Sequence, residues 1–143
     1  MISKIFKTPV VLNGPFKGLK YPKFKSRSSS LYSKLIGSYE MELHSTIKQV
    51  VDDEFDQIIN IGCAEGYYAV GLAICLPNAE IYAYDIDSEA RELTSKMASL
   101  NGVSERVFIK TKIDTNHLKK IDFTKKTLII SDVEGYERHI FVP

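Results

Sequence analysis

A glycine-bearing turn at residues 60–66, an acid at Asp85 and a second acidic pair at Asp132 and Glu134 are the parts of this sequence whose spacing suits chemistry. The turn reads Asn60-Ile61-Gly62-Cys63-Ala64-Glu65-Gly66 and follows a compact apolar run, QIINI. Gly62 permits a sharp exit from a strand and lets backbone approach a ligand, and Gly66 lets the next helix pack close. The spacing argues against phosphate. A dinucleotide fingerprint needs glycines where this chain has Gly62, Ala64 and Tyr67, and a P-loop needs a lysine that this turn lacks. Asp85 stands 23 positions after Gly62, close to the spacing at which a carboxylate accepts hydrogen bonds from both hydroxyls of a ribose. The expected ligand therefore contains a nucleoside, with its base over Ile86 and its exocyclic amine near Asp114.

Asp132 and Glu134 follow the apolar run TLIIS, which puts them on the same side of a sheet as the turn. Either can take a proton from an acceptor, Asp132 being the first choice. The alternative is that Asp132 contacts the ligand or caps a turn while Glu134 solvates the rim. His139, in a predicted helix, and His44 are further candidate bases, although a lone histidine is more often structural, and His117 falls in a polar loop. Asp132 with Glu134 could hold Mg²⁺ only with outside help, so no metal is expected.

The elements that must carry these residues alternate. Apolar positions Tyr32, Leu35, Ile36, Tyr39, Leu43, Ile47 and Val50 recur at helical spacing between residues 31 and 51, with Gly37 as a possible break. Strands are predicted over 57–61, 80–84, 106–110 and 127–131, and helices over 67–76 and from Asp87 or Ser88 to Asn101-Gly102. A weaker helix or loop spans 114–120. Strand and helix in alternation define an α/β fold with right-handed crossovers and a parallel sheet. The first thirty residues read as loop, with turns at Gly14, Pro15, Gly18 and Pro22 and a flexible run, SRSSS, at 26–30. Tyr21, Phe24, Tyr32 and Tyr39 line either a pocket or, more in keeping with helical spacing, the core.

INIGCAEGYYAVGLA followed by YAYDID resembles motif I and the acidic loop of class I S-adenosylmethionine-dependent methyltransferases. Their pattern is Asp/Glu-x-Gly-x-Gly-x-Gly, and this chain carries Asn60 and Ala64 at the first and fifth places. GPFKGLKYP, LIGSYEMELH and SDVEGYE are similar to segments of FkbM-type methyltransferases, in which Asp-x-Glu-Gly-x-Glu closes the fourth strand. The resemblance implies a Rossmann-like parallel sheet in the order 3-2-1-4 with helices on both faces. S-adenosylmethionine would be held by Asn60, Gly62, Cys63, Ala64, Glu65, Gly66, Tyr67, Asp85, Ile86 and Asp114. It also implies O-methylation of a small molecule or glycan. The alternative is a non-catalytic S-adenosylmethionine-binding or interaction module, and a third reading, a nucleotide-dependent oxidoreductase, conflicts with the glycine spacing.

The family's sheet continues for three more strands, whereas this sequence runs only eleven residues beyond Asp132. The expectation is a loop and helical extension over 1–52 and a shortened Rossmann-like cofactor-binding unit over 53–143, its apolar fourth strand an edge that a second copy could cover. Nineteen basic residues against eighteen acidic give a formal charge of +1, which offers no overall field for nucleic acid or membrane. The start is too short and interrupted for a signal sequence or a membrane span, and Cys63 and Cys75 suit reduced thiols in the cytoplasm.

Overall fold

The computed structural model describes residues 8–22 and 30–141. Phe24 and residues 26–29 of the SRSSS run lie outside the described residues. The sheet has four parallel strands: β1 (Gln57–Ile61), β2 (Glu80–Tyr84), β3 (Val107–Lys110) and β4 (Thr127–Ser131), in the order β3-β2-β1-β4. Five consecutive buried residues make β1 the centre, since a strand covered on both faces must be apolar throughout. Ile58 pairs with Ile81 on one side and Leu128 on the other. The expected architecture is thus the observed one.

Helices α1 (Leu31–Ile36), α2 (His44–Asp52), α3 (Tyr67–Cys75) and α4 (Ser88–Leu100) contribute to the larger apolar cluster, with Ile58, Ile81, Ala83 and Val107 from the strands. The short helices α5 (Thr115–Leu118) and α6 (Glu137–Phe141) lie with the opposite sheet face, where Ile59, Ile61, Ile113 and Ile140 form a second cluster. Strand β2 shows the division directly. Ile81 and Ala83 are buried, while Tyr82 and Tyr84, on the other face, are half-buried.

Three local outcomes differ from the sequence expectations. Gly37, at φ 81°, ends α1 in the left-handed conformation at the break the sequence allowed for, but the tyrosines placed on the helical face do not follow it inward. Tyr32 is 77% exposed rather than core, Tyr39 sits in the connection, and the buried positions of α1 are Leu31, Lys34 and Leu35. Arg106 precedes β3 instead of opening it. Its guanidinium donates to the carbonyls of Ala73, Leu76 and Ala79, tying the start of β3 to the end of α3 and the turn that follows it.

The third difference is the N-terminal segment, which the sequence presents as loop. Val11, Phe16, Leu19 and Tyr21 are among the most buried side chains and belong to the same cluster as α3 and the strands. Val10 and Lys20 form an isolated antiparallel bridge, and the Asn101 side chain both accepts from the Lys20 N–H and donates to its carbonyl. The Phe16 ring lies directly over Gly71 of α3, where a Cβ would come within 2.6 Å of the ring. A glycine inside a helix costs propensity, and here it makes room for an aromatic ring.

Gly71→Ala should therefore destabilise the protein by about 1–3 kcal/mol, the range for overpacking a filled core. Urea unfolding measures it. An unchanged midpoint would mean that the ring moves aside freely.

Candidate functional site

The turn after β1 runs through the left-handed region at alternate residues: Gly62 at φ 78°, Ala64 at 50° and Gly66 at 94°. Gly62 is required by packing. A Cβ there would stand 2.2 Å from the Asp132 carbonyl oxygen, and the Asp132 N–H donates to the Ile61 carbonyl at 3.0 Å, so the ends of β1 and β4 meet at this glycine. Gly66 sits against Thr94 of α4, whose hydroxyl donates to the Ala64 carbonyl at 2.9 Å. The Asp85 carboxylate closes the arrangement from β2. One oxygen accepts from the Ala64 N–H at 3.0 Å and the other from the Asp87 N–H at 2.9 Å. A carboxylate has lone pairs for further donors, so these bonds leave Asp85 able to receive a ligand's hydroxyls.

Above this crest opens a cavity of about 670 Å³, a volume typical of small-molecule sites. Gly62, Ala64, Asp85 and Ile86 line it from the first two loops, and Asp132 and Glu134 line it from the end of β4. These are the sequence candidates that the fold brings together. Ile86 is 80% exposed, an apolar side chain left open beside the cavity.

The remaining candidates point elsewhere. Asn60 is buried and its side-chain oxygen has no hydrogen-bond partner, yet it does not line the cavity. Cys63 is buried with its sulfur 3.6 Å from the Thr94 hydroxyl, and burial pushes its thiol up to about 11. Glu65 turns inward to Lys34, whose ammonium donates to it at 2.6 Å. Tyr67 packs edge-on against Phe16 and Tyr39. Asp114 caps α5, accepting from the backbone N–H groups of Asn116 and His117 and bonding the His117 ring, and those bonds hold its carboxyl below the usual range. His139 is exposed and packs on Tyr136, 5.2 Å between ring centroids. His44 bonds the Tyr39 carbonyl at 3.0 Å.

Sequence reasoning overlooked Thr111, Lys112, Ile113, Tyr136 and Ile140, all of which line the cavity. The signal was present for the first three: they follow β3, at the same carboxyl edge that singled out Asp85 and Asp132. The Lys112 ammonium lies 5.8 Å from the centre of the Tyr136 ring, joining the β3 loop to the segment after β4. Among the described residues, no three of His, Cys, Asp and Glu gather as a metal site, and no helix is long and apolar enough to cross a membrane.

The sheet order and the helices around it are those of the class I methyltransferase fold. An SAH-bound methyltransferase of Podospora anserina shares it at a TM-score of 0.57 and 20% identity, over 77% of this chain and 47% of that one. In sequence, the chain is similar to a bifunctional methyltransferase of Rickettsia conorii, 30% identical over 86 residues, which is 60% of this chain and 16% of that protein. It is also similar to a release factor glutamine methyltransferase of Chlorobaculum tepidum, 36% identical over 50 residues, covering 35% of this chain and 17% of that protein. The matched region thus spans less than a fifth of these curated relatives. No protein-family model matches the chain.

Two measurements follow from the turn. Ala64→Gly should stabilise the fold by up to about 1 kcal/mol, because only glycine occupies φ near 50° without steric cost; thermal unfolding reads the shift, and a lower midpoint would refute it. Cys63 should resist a thiol-labelling reagent at neutral pH until the protein unfolds, because burial keeps it protonated; labelling of Cys63 in the folded protein, read by mass spectrometry, would contradict the assignment.

Proposed function

We propose that this chain carries the cofactor-binding site of an S-adenosylmethionine-dependent methyltransferase acting on an oxygen nucleophile of a small molecule or glycan. The observation that carries the reading is the charge of the cavity. Asp85, Asp87, Asp132 and Glu134 line it against Lys112, four carboxylates to one ammonium. Such a wall favours a cationic nucleoside and repels a nucleotide's phosphates. Asp85 receives the ribose hydroxyls, Ile86 and Ile113 flank the base, and the backbone at Gly62 and Ala64 faces the remainder of the cofactor.

The bound cofactor supplies a methyl group on a sulfonium, which an in-line displacement delivers to the acceptor. The protein's part is to hold the acceptor close, exclude water and remove a proton. Asp132 is the proposed base, since it lines the cavity at the end of β4, and Glu134 is the second choice. His139 is exposed, and it and His44 both fall outside the lining. The acidic rim also disfavours a polyphosphate acceptor such as RNA. In this reading residues 1–52 are a loop and helical extension of the cofactor unit at 53–143, and the finer likeness to FkbM-type enzymes rests on GPFKGLKYP, LIGSYEMELH and SDVEGYE.

Titration calorimetry should show S-adenosylmethionine binding more tightly than its neutral-sulfur product S-adenosylhomocysteine, with no heat from ATP or NAD. Asp85→Asn should weaken cofactor binding about tenfold or more, the effect of losing a charge-assisted hydrogen bond. Equal binding of ATP, or an unchanged affinity in D85N, would defeat the proposal. A labelled-methyl assay against small-molecule, glycan and RNA pools then assigns the acceptor, and binding without transfer to any pool would favour the non-catalytic module.

A further inference from the structure

Glu65 stands inside the cofactor turn, yet its side chain leaves the cavity and is 2% exposed. Two residues from the N-terminal part of the chain reach the same carboxylate oxygen: the Lys34 ammonium at 2.6 Å and the Tyr21 hydroxyl at 3.4 Å. Lys34 is itself 4% exposed, and its ammonium lies 4.7 Å from the centre of the Tyr39 ring and 5.5 Å from that of Tyr67. Helix α1 is therefore fastened to the turn by a buried ion pair set among aromatic faces.

A pair of this kind is a poor source of net stability, because removing two charges from water offsets most of their attraction. Its short, charge-assisted geometry instead fixes position. Glu65 is flanked by Ala64 and Gly66, both in the left-handed region, and the Ala64 N–H is the group that Asp85 accepts. The structure thus runs without interruption from Lys34 through Glu65 and the Ala64 amide to the Asp85 carboxylate at the cavity wall.

We infer that Lys34 and Glu65 are positioning residues for the cofactor site: neither lines the cavity, and together they set the backbone of residues 64–66 in the register that Asp85 needs. The inference rests on the cofactor reading given above. It makes the N-terminal segment part of the binding apparatus rather than a cover for the core. Lys34→Arg keeps the charge and should retain cofactor affinity.

The test is the paired substitution K34M/E65M, which removes both charges while approximately conserving volume, with S-adenosylhomocysteine as the probe. Folding stability should fall modestly, since apolar replacement of a buried ion pair is often neutral but the buried Tyr21 hydroxyl loses the carboxylate that accepts from it. Affinity should fall about tenfold, and amide exchange at residues 62–66 should accelerate. A paired variant that folds, binds S-adenosylhomocysteine within about twofold of the parent and leaves exchange at the turn unchanged would overturn the inference. Should the paired variant not fold, Glu65→Asp serves instead: it keeps the charge, withdraws the carboxylate by one methylene, and should weaken binding while the unfolding midpoint moves little. Unaltered binding in E65D would be equally fatal. Failure of the parent protein itself to bind S-adenosylhomocysteine would sink the cofactor reading, which separates the two cases.

Discussion

The carboxylate of Asp85 joins the two loops that any ligand on this sheet must touch. It arrives at the carboxyl end of β2 and accepts one backbone N–H from the turn after β1 and another from the loop leading into α4. That geometry exists only because β1 and β2 are parallel neighbours whose ends reach the same height, with Ile61 paired to Tyr84. Parallel strands need crossover helices, and α3 supplies this one by packing residues such as Val70 and Leu72 into the apolar cluster that also holds Ile58 and Ile81. Burial of the helix, alignment of the strands and placement of one carboxylate are therefore a single constraint.

The opposite wall of the crevice obeys a second restriction. At Gly62 the end of β4 approaches so closely that the Asp132 carbonyl occupies the space of a side chain. Asp132 is carried there by its own backbone bond to Ile61, so that it and Asp85 line the same cavity from the ends of different strands. Negative charge accumulates on both walls, and Lys112 offsets only part of it. Each acid sits where a strand ends, so the field inside the crevice is a property of the topology as much as of composition. The chain's overall charge of +1 conceals it.

Much of the framework was legible in the sequence because strands and long helices impose periods on it. QIINI, EIYAY and TLIIS became β1, β2 and β4 within their expected bounds, and Asp87 caps α4 by accepting from the Glu89 N–H. Irregular backbone has no period, which is why the burial of Val11, Phe16, Leu19 and Tyr21 was invisible. The site divided in the same way. Positions fixed by a strand end, such as Asp85 and Asp132, fell at the cavity, whereas Asp114 had a local alternative in the free N–H groups of α5 and took it. The inward turn of Glu65 depended on a partner 31 positions earlier, a relation that no local pattern encodes.

The seating of Phe16 over Gly71 bears on how the molecule assembles. The ring and its socket are 55 residues apart in the chain, and the socket exists only once α3 has formed. The segment at 8–22 carries four large buried apolar side chains, and the cluster that holds them is completed only by α3 and the strands that follow it. Closure by contacts of such long sequence separation makes the seating of the N-terminal segment a slow, late step of folding.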